Sequence, residues 1–329
     1  MPIAISGTTG ITLAGQFDSA STFGFRNRII NGAMQIAQRA TSATITAGST
    51  IAAGYSTVDR FYVYCTGANV TAAQVAGSGA IKNNLEITGG ASVTAIGVGQ
   101  RIEQLNSYDM AGSTATLSVN LSNSLLTTVT WTAYYATTAD TFGTLASPTR
   151  TQIATGTFTV TSTLTNYSAQ ISIPAAATTG IEIVFTVGAQ TSGTWVIGNI
   201  QLEKSSVATS FDYRPYGTEL ALCQRYYYKN TGALYSMHGT GTVFSTTQAD
   251  VYTKFPVSMR AIPTVSLSST QIQVGASIYA ATGVSGASGV TTDVAFSRVV
   301  TGGTMVVGYA AILTNANNAS GYLDASAEL

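Results

Sequence analysis

Apolar and polar residues alternate with a period of two through most of this chain. Thr114–Leu121 (TATLSVNL), Thr127–Tyr135 (TTVTWTAYY), Gly156–Val160 (GTFTV), Ser168–Ile173 (SAQISI), Glu182–Val187 (EIVFTV) and Trp195–Leu202 (WVIGNIQL) all show it. This is the pattern of strands with one face in a core and the other toward water. The segments are rich in β-branched residues and recur at short intervals, broken by Gly, Asn, Ser and Pro. Such spacing predicts an all-β, antiparallel sandwich rather than alternating strands and helices. One short helix is predicted at Glu219–Tyr226, with Thr218 as N-cap and Glu219 in the first turn. No fixed period repeats, which argues against a solenoid or β-helix.

The densest run of charge, Pro, Tyr and Cys is Ile200–Lys229, in a chain otherwise made of Thr, Ser, Ala, Gly and Val. A strand, an extended Phe-Asp-Tyr-Arg-Pro, the helix and an aromatic strand start follow in order, which reads as a joint between two β domains. Three parts are expected: a small-residue lead segment at Met1–Phe23, a large sandwich at Gly24–Tyr216, and a second small β-sandwich at Gly217–Leu329.

Composition narrows the function classes. Charged residues are 9% of 329, with 14 basic and 14 acidic side chains and a net charge of zero, against roughly 25% charged in an ordinary globular protein. Arg26, Arg28, Arg39 and Arg60 are spaced too widely for a patch, so no nucleic-acid partner is expected. No run reaches the ~20 apolar residues of a membrane-spanning helix, and no membrane insertion is expected. Met1–Gly15 lacks the basic start and apolar core of a secretory leader. A surface solvated by hydroxyls suits a subunit of a large assembly better than a freely circulating monomer. Cys65 and Cys223 could pair, but buried free thiols are the favoured reading.

The residues able to carry chemistry are few. His238 is the only histidine; it reads as a surface or interface residue, with no Gly-x-Ser-x-Gly elbow and no second metal ligand beside it. Gly283–Gly289 (GVSGASG) lacks the lysine and following helix of a phosphate loop and reads as a tip loop. Neither cofactor nor metal is expected, calcium near Asp109 or Asp140 being a minor alternative. Alternation puts Arg101 and Glu103 on one strand face, and Gln201 and Glu203 on one face of another. If those strands are neighbours, Glu103 or Glu203 pairs with Arg60 or Arg101 as a structural clamp, a catalytic carboxylate pair being the alternative. Arg214, before Pro215, and Arg225, before three tyrosines, read as domain fasteners. Sugar binding needs aromatic rings beside hydrogen-bonding groups. Trp131 and Tyr135 share one strand face and Tyr134 takes the other, so part of this set is core. Tyr235, Tyr252, Tyr279 and Tyr309 are further candidates, and Trp131 and Trp195 also read as core anchors.

Four segments together resemble tail-fibre and receptor-binding structural proteins of tailed bacteriophages. They are Asn27–Arg39 (NRIINGAMQIAQR) with Val58–Phe61 (VDRF), Gln100–Gln104 (QRIEQ), Gln201–Tyr227 (containing QLEKSSVATSFDYRP and ELALCQRYY), and Phe255–Thr264 (FPVSMRAIPT) with the final Ala327-Glu328-Leu329. Phe61 stands where many relatives carry Trp, and Ala33 where they carry a larger residue. The resemblance implies a carbohydrate-binding-module-like jelly roll followed by a small sandwich tip. It also implies a homotrimer, a place in the virion with neighbouring virion proteins held by the N-terminal segment, and attachment to host surface glycan or protein without catalysis. A capsid decoration or head-fibre protein, and a polysaccharide-degrading tail enzyme, are the alternatives.

Overall fold

The computed structural model describes residues 4–6, 10–12, 25–48, 54–285 and 291–329, with backbone alone at 4–6, 10–12 and Phe296. The expected lead segment therefore lies outside the described residues, save for an antiparallel pair of β1 (Ala4–Ser6) and β2 (Gly10–Thr12). Residues 286–289 of the expected tip loop, with residue 290 after it, lie outside them as well. The protein is all-β and antiparallel, with one α-helix among the described residues. The chain divides into two compact units. The first holds Met1–Gln35, Ser42–Ser56 and Phe61–Pro215; the second holds Ile36–Thr41, Thr57–Arg60 and Tyr216–Leu329. The two short segments of the second unit fall inside the stretch that the sequence reading gave wholly to the first.

The first unit contains β3 (Ser42–Ile45), β4 (Tyr62–Thr66), β5 (Val70–Ala76), β6 (Asn83–Thr88), β7 (Ala95–Ile102), β8 (Thr114–Asn123) and β9 (Thr128–Ala136). It continues with β10 (Arg150–Thr159), β11 (Thr165–Ser172), β12 (Ile181–Val187) and β13 (Thr194–Glu203). They form a five-stranded sheet, β10-β9-β12-β7-β4, and a six-stranded sheet, β11-β8-β13-β6-β5-β3. The chain crosses repeatedly from one sheet to the other, in the manner of a jelly roll. Alternation explains the packing: Ile96, Val98, Trp131, Ala133, Ile183 and Phe185 from the first sheet, and Leu85, Ile87, Leu117, Val119, Trp195 and Ile197 from the second, are buried. Phe158 meets Tyr167 across the layers at 5.4 Å between ring centroids. Each such apolar side chain, fully buried, contributes roughly 1.5–3 kcal/mol.

An arm and a strap complete the first unit. A bulge interrupts β13 between Gly198 and Gln201, and residues 27–32 fill it. The Asn27 amide donates to the Ile200 carbonyl and accepts from the Ile29 and Leu202 amides, while Ile200 N–H reaches the Gly32 carbonyl. A Cβ at position 32 would collide with that Ile200 carbonyl, so only glycine fits. The Gln100 side chain both donates to and accepts from the Ile30 backbone, at 2.8 Å each. The strap, residues 204–213, is tied down by side chains: Glu203 accepts from Thr209 N–H and Oγ1, Gln201 from Asp212 N–H, and Asn199 donates to the Tyr213 hydroxyl.

The second unit contains α1 (Tyr216–Gln224), β14 (Tyr227–Thr231), β15 (Met237–Ser245), β16 (Gln248–Lys254), β17 (Thr264–Ser268) and β18 (Thr270–Val274). It ends with β19 (Ser277–Val284), β20 (Val294–Thr301), β21 (Ala310–Asn315) and β22 (Tyr322–Ser326). Strands β15-β16-β20-β19-β18-β21 close into a barrel, and β14-β22-β17 form a separate sheet. Closure removes the exposed edges that an open second sandwich would carry. Helix α1 begins directly after Pro215, so Thr218 lies inside its first turn and is not the N-cap; Glu219 keeps its first-turn place.

Candidate functional site

The outward face of the five-stranded sheet holds the chemistry, and the register builds it row by row. In β4, Val63 and Cys65 point into the core while Tyr62 and Tyr64 point out. Tyr62 stands opposite Gly99 of β7, and Tyr64 opposite Gly97. A Cβ on either glycine would collide with the facing ring, so the two tyrosines lie across bare backbone. Gly99 is followed across the sheet by Val184 and Thr132, and Gly97 by Thr186 and Thr130. On β10, Thr155 faces Thr132 and Thr157 faces Thr130. Tyrosine rings thus pave one side of the face and threonine hydroxyls the other, over about 19 Å for four strand spacings.

The rings are ordered against one another. Tyr62 and Tyr64 stack at 6.5 Å and 23°, and Tyr55 meets Tyr62 edge-on at 6.0 Å and 84°. Tyr62 is fully buried beneath its neighbours, whereas Tyr55, Tyr64, Tyr134 and Leu145 stay half-buried around Val184. Thr132 Oγ1 and Thr155 Oγ1 share a hydrogen bond of 3.0 Å. Burial raises the Tyr64 phenol above its ordinary range, and Tyr62 further still, with the Glu182 charge adding to the effect. Both remain hydroxyl donors at neutral pH.

A charged cluster closes one end of this face. The carboxylate of Glu182, fully buried, accepts from the Tyr62 hydroxyl at 2.8 Å, from Arg101 Nε at 2.9 Å, and from Arg150. Arg150 also covers the Tyr134 ring at 4.1 Å, and Arg101 reaches the Gly143 carbonyl at 3.1 Å. Glu182 thus anchors a phenol and two guanidinium groups at once. Arg101 thus finds its partner in a carboxylate that the alternation did not single out.

The other candidates fall elsewhere. Trp131 is 6% exposed, faces the core and packs over Gly156, so it presents no ring to a ligand. Tyr135 shares that inward face, at the end of β9. Tyr279 leans on the barrel core of the second unit, while Tyr235, Tyr252 and Tyr309 project from that unit well exposed. Glu103 accepts from Asn106, and Glu203 holds the strap, so each carboxylate serves the scaffold. Arg60 binds Glu328 within the second unit. Arg214 donates to the Asn27 and Ile29 carbonyls of its own unit, and the Arg225 carbonyl accepts from Arg260 N–H within the second. Asp109 pairs with Arg28, and Asp140 accepts from Gln104 N–H. Cys65 and Cys223 are free and buried. His238 is not a surface residue: it is 5% exposed inside the second unit, bonded to Asn315 at 2.5 Å.

Tyr55, Tyr62 and Tyr64 are not among the residues expected from the sequence. Their signal was present in the Gly-x-Gly of β7 (AIGVGQRI), where two successive positions of one strand face are bare backbone and something must lie across them.

No family model matches the chain, and no curated protein matches it. Among solved structures it is similar to the enzymatically active domain of tailspike protein 4 of bacteriophage CBA120, at 16% identity and a TM-score of 0.32. That match covers 54% of this chain and only 21% of the tailspike. A family 61 carbohydrate-binding module in complex with β-1,4-galactotriose matches at 11% identity and 0.33, over 55% of this chain and 99% of the module. A putative sugar-binding protein from Bacteroides thetaiotaomicron matches at 12% and 0.34, over 54% and 100%. All three TM-scores lie below 0.5, so these likenesses carry no argument about function. No helix among the described residues is long and apolar enough to cross a membrane.

Proposed function

We propose that this chain is a non-catalytic attachment subunit of a phage particle, and that its first unit holds carbohydrate on the outward face of the five-stranded sheet. The observation that carries the binding half is the pairing of half-buried Tyr64 with the grid of Thr130, Thr132 and Thr186. An aromatic ring offers its face to the C–H side of a sugar, and each threonine hydroxyl both donates and accepts. A face about 19 Å across suits an oligosaccharide better than a single ring. Shallow sites of this kind bind weakly one at a time and gain from many copies on one particle.

The non-catalytic reading draws on three buried carboxylates of the first unit, each bonded within the scaffold: Glu182 to two arginines, Glu203 to the strap, Glu103 to Asn106. The virion half rests on the four segments that resemble tail-fibre proteins. Their Asn27, Gln100, Gln201 and Glu203 fasten the arm and strap, which is the work of a scaffold.

A panel of host-envelope polysaccharides tests the binding half by affinity electrophoresis of the full chain. Tyr64→Ala and Thr132→Lys should each weaken capture at least tenfold, with the melting curve of Thr132→Lys unchanged. Tyr252→Ala and Tyr309→Ala, in the second unit, should capture normally. Loss in the second pair with retention in the first would overturn the assignment. Antibody labelling of intact particles tests the virion half: label at a tail appendage agrees, and unlabelled particles refute it.

A further inference from the structure

The first unit has four sheet edges, and three are blunted by different devices. Strand β3 is only four residues long. Strand β4 is covered by other backbone, since Val63 N–H donates to the Gly54 carbonyl and the Cys65 carbonyl accepts from Gly48 N–H. Strand β10 is broken by a bulge between Gln152 and Ala154. Short strands, coverage and bulges are the means by which sheets avoid pairing with foreign strands. Among the described residues the fourth edge, β11, has no bulge and no backbone cover, its one tie to the strap being the Gln170 side chain, which donates to the Ser206 carbonyl. It runs eight residues in unbroken register against β8, from Thr165↔Leu121 to Ser172↔Thr114.

Charge does not protect it either. The strand reads TNYSAQIS, and no Asp, Glu, Lys or Arg occurs from Thr151 through Ile181. Asn166, Ser168, Gln170 and Ser172 are exposed on its outward side. Beside its middle runs an open groove of about 430 Å³, floored by Thr116, Ser168 and Gln170 and walled by Ser206, Val207 and Ala208. Val207 stands at 56% exposure there.

We infer that β11 is a self-association edge: two copies of this chain pair β11 against β11 antiparallel about a two-fold axis, joining their six-stranded sheets into one. A neutral edge meets its own copy without repulsion, and an isologous contact places the same residues on both sides. The groove receives the partner's outward side chains, and the two Val207 residues supply apolar contact at the rim. An eight-residue edge is about 26 Å long. Association through so short an edge is expected to be concentration-dependent. The inference is independent of the carbohydrate reading, and a two-fold pairing differs from the three-fold assembly that the resemblance implies.

Sedimentation velocity of the full chain from 5 to 500 μM tests it. The mass should rise from 33.9 kDa toward twice that value. The double variant Ser168→Lys with Gln170→Lys should stay monomeric with an unchanged melting curve. Single cysteines at Asn166, Ser168 and Gln170 should yield a disulfide-linked dimer on mild oxidation at the position nearest the axis, because Cys65 and Cys223 are buried. A chain that stays monomeric at 500 μM, a trimer with no dimer step, or a double variant that associates like the parent would each overturn the inference.

Discussion

Each unit contains one carboxylate held between two arginines and flanked by tyrosines, and the two clusters do different work. In the first unit Glu182 binds Arg101 and Arg150, with Tyr62 and Tyr134 alongside. All five residues come from one sheet, and the cluster closes the end of the proposed binding face. In the second unit Glu328 binds Arg39 and Arg60, whose guanidinium groups lie 3.5 Å over Tyr227 and Tyr226. Here the arginines come from the two short segments near the start of the chain, and the carboxylate from its last residues. Gln38 adds two bonds to Asp59, and Arg260 takes the Ala327 and Glu328 carbonyls. Arg60 sits at φ 72°, a left-handed conformation costly for a side-chain-bearing residue and sustained by this network. The same group of side chains thus orders an exposed surface in one place and sews remote segments together in the other.

The largest effects should come from emptying each cluster. Glu182→Ala leaves two arginines and a phenol without their buried partner, a loss of roughly 3–5 kcal/mol. Hydrogen exchange should show it as lost protection across β7, β9 and β12, with carbohydrate capture abolished. Glu328→Ala should cost a similar amount, but confined to β14, β22 and the 36–41 and 57–60 segments, with capture retained. If both substitutions loosen the same elements, the two clusters are not separate devices.

Gly97→Ala should have a smaller effect. Its Cβ displaces the Tyr64 ring without removing any hydrogen bond, and overpacking of this kind costs about 1–3 kcal/mol. Capture should fall further than stability does. Equal capture by parent and variant would show that the ring position is unimportant.

Smallest is a pair of opposed pH responses in the second unit. Burial raises Asp59 from 3.8 to about 6. The folded chain thus keeps a proton that the unfolded chain releases; this contribution to stability is full below pH 3.8 and is lost as pH rises through 6. Burial lowers His238 from 6.5, against an opposing hydrogen bond to Asn315. The unfolded chain takes up that proton first, so stability falls as pH drops below 6.5. Each slope is under about 1.4 kcal/mol per pH unit. Relative to the parent, Asp59→Asn should make the second unit lose more stability on acidification from pH 7 to 4, and His238→Gln should make it lose less. Identical melting-temperature profiles for both variants would contradict these assignments.

Much of the fold was legible because period-two alternation is a local property. All six segments singled out by it lie in strands, with ends shifted by a few residues. Clusters were not legible, because they depend on register between strands distant in sequence. Glu182 was visible only as the polar residue of an apolar strand, and nothing local marks Glu328 as the partner of Arg60, 268 residues away. Trp131 and Tyr134 were correctly placed on opposite faces of β9, but which face met the core was decided by Ile183 and Phe185 of the neighbouring strand. His238 appeared exposed because glycines surround it; closure of the barrel buries it.

The most direct test is a crystal structure of the full chain with an oligosaccharide cut from the polysaccharide it captures. A sugar ring should lie against Tyr64 within about 4 Å, with its hydroxyls bonded to Thr132 or Thr186. Density for the sugar on the second unit, with the tyrosine-paved face empty, would contradict the account.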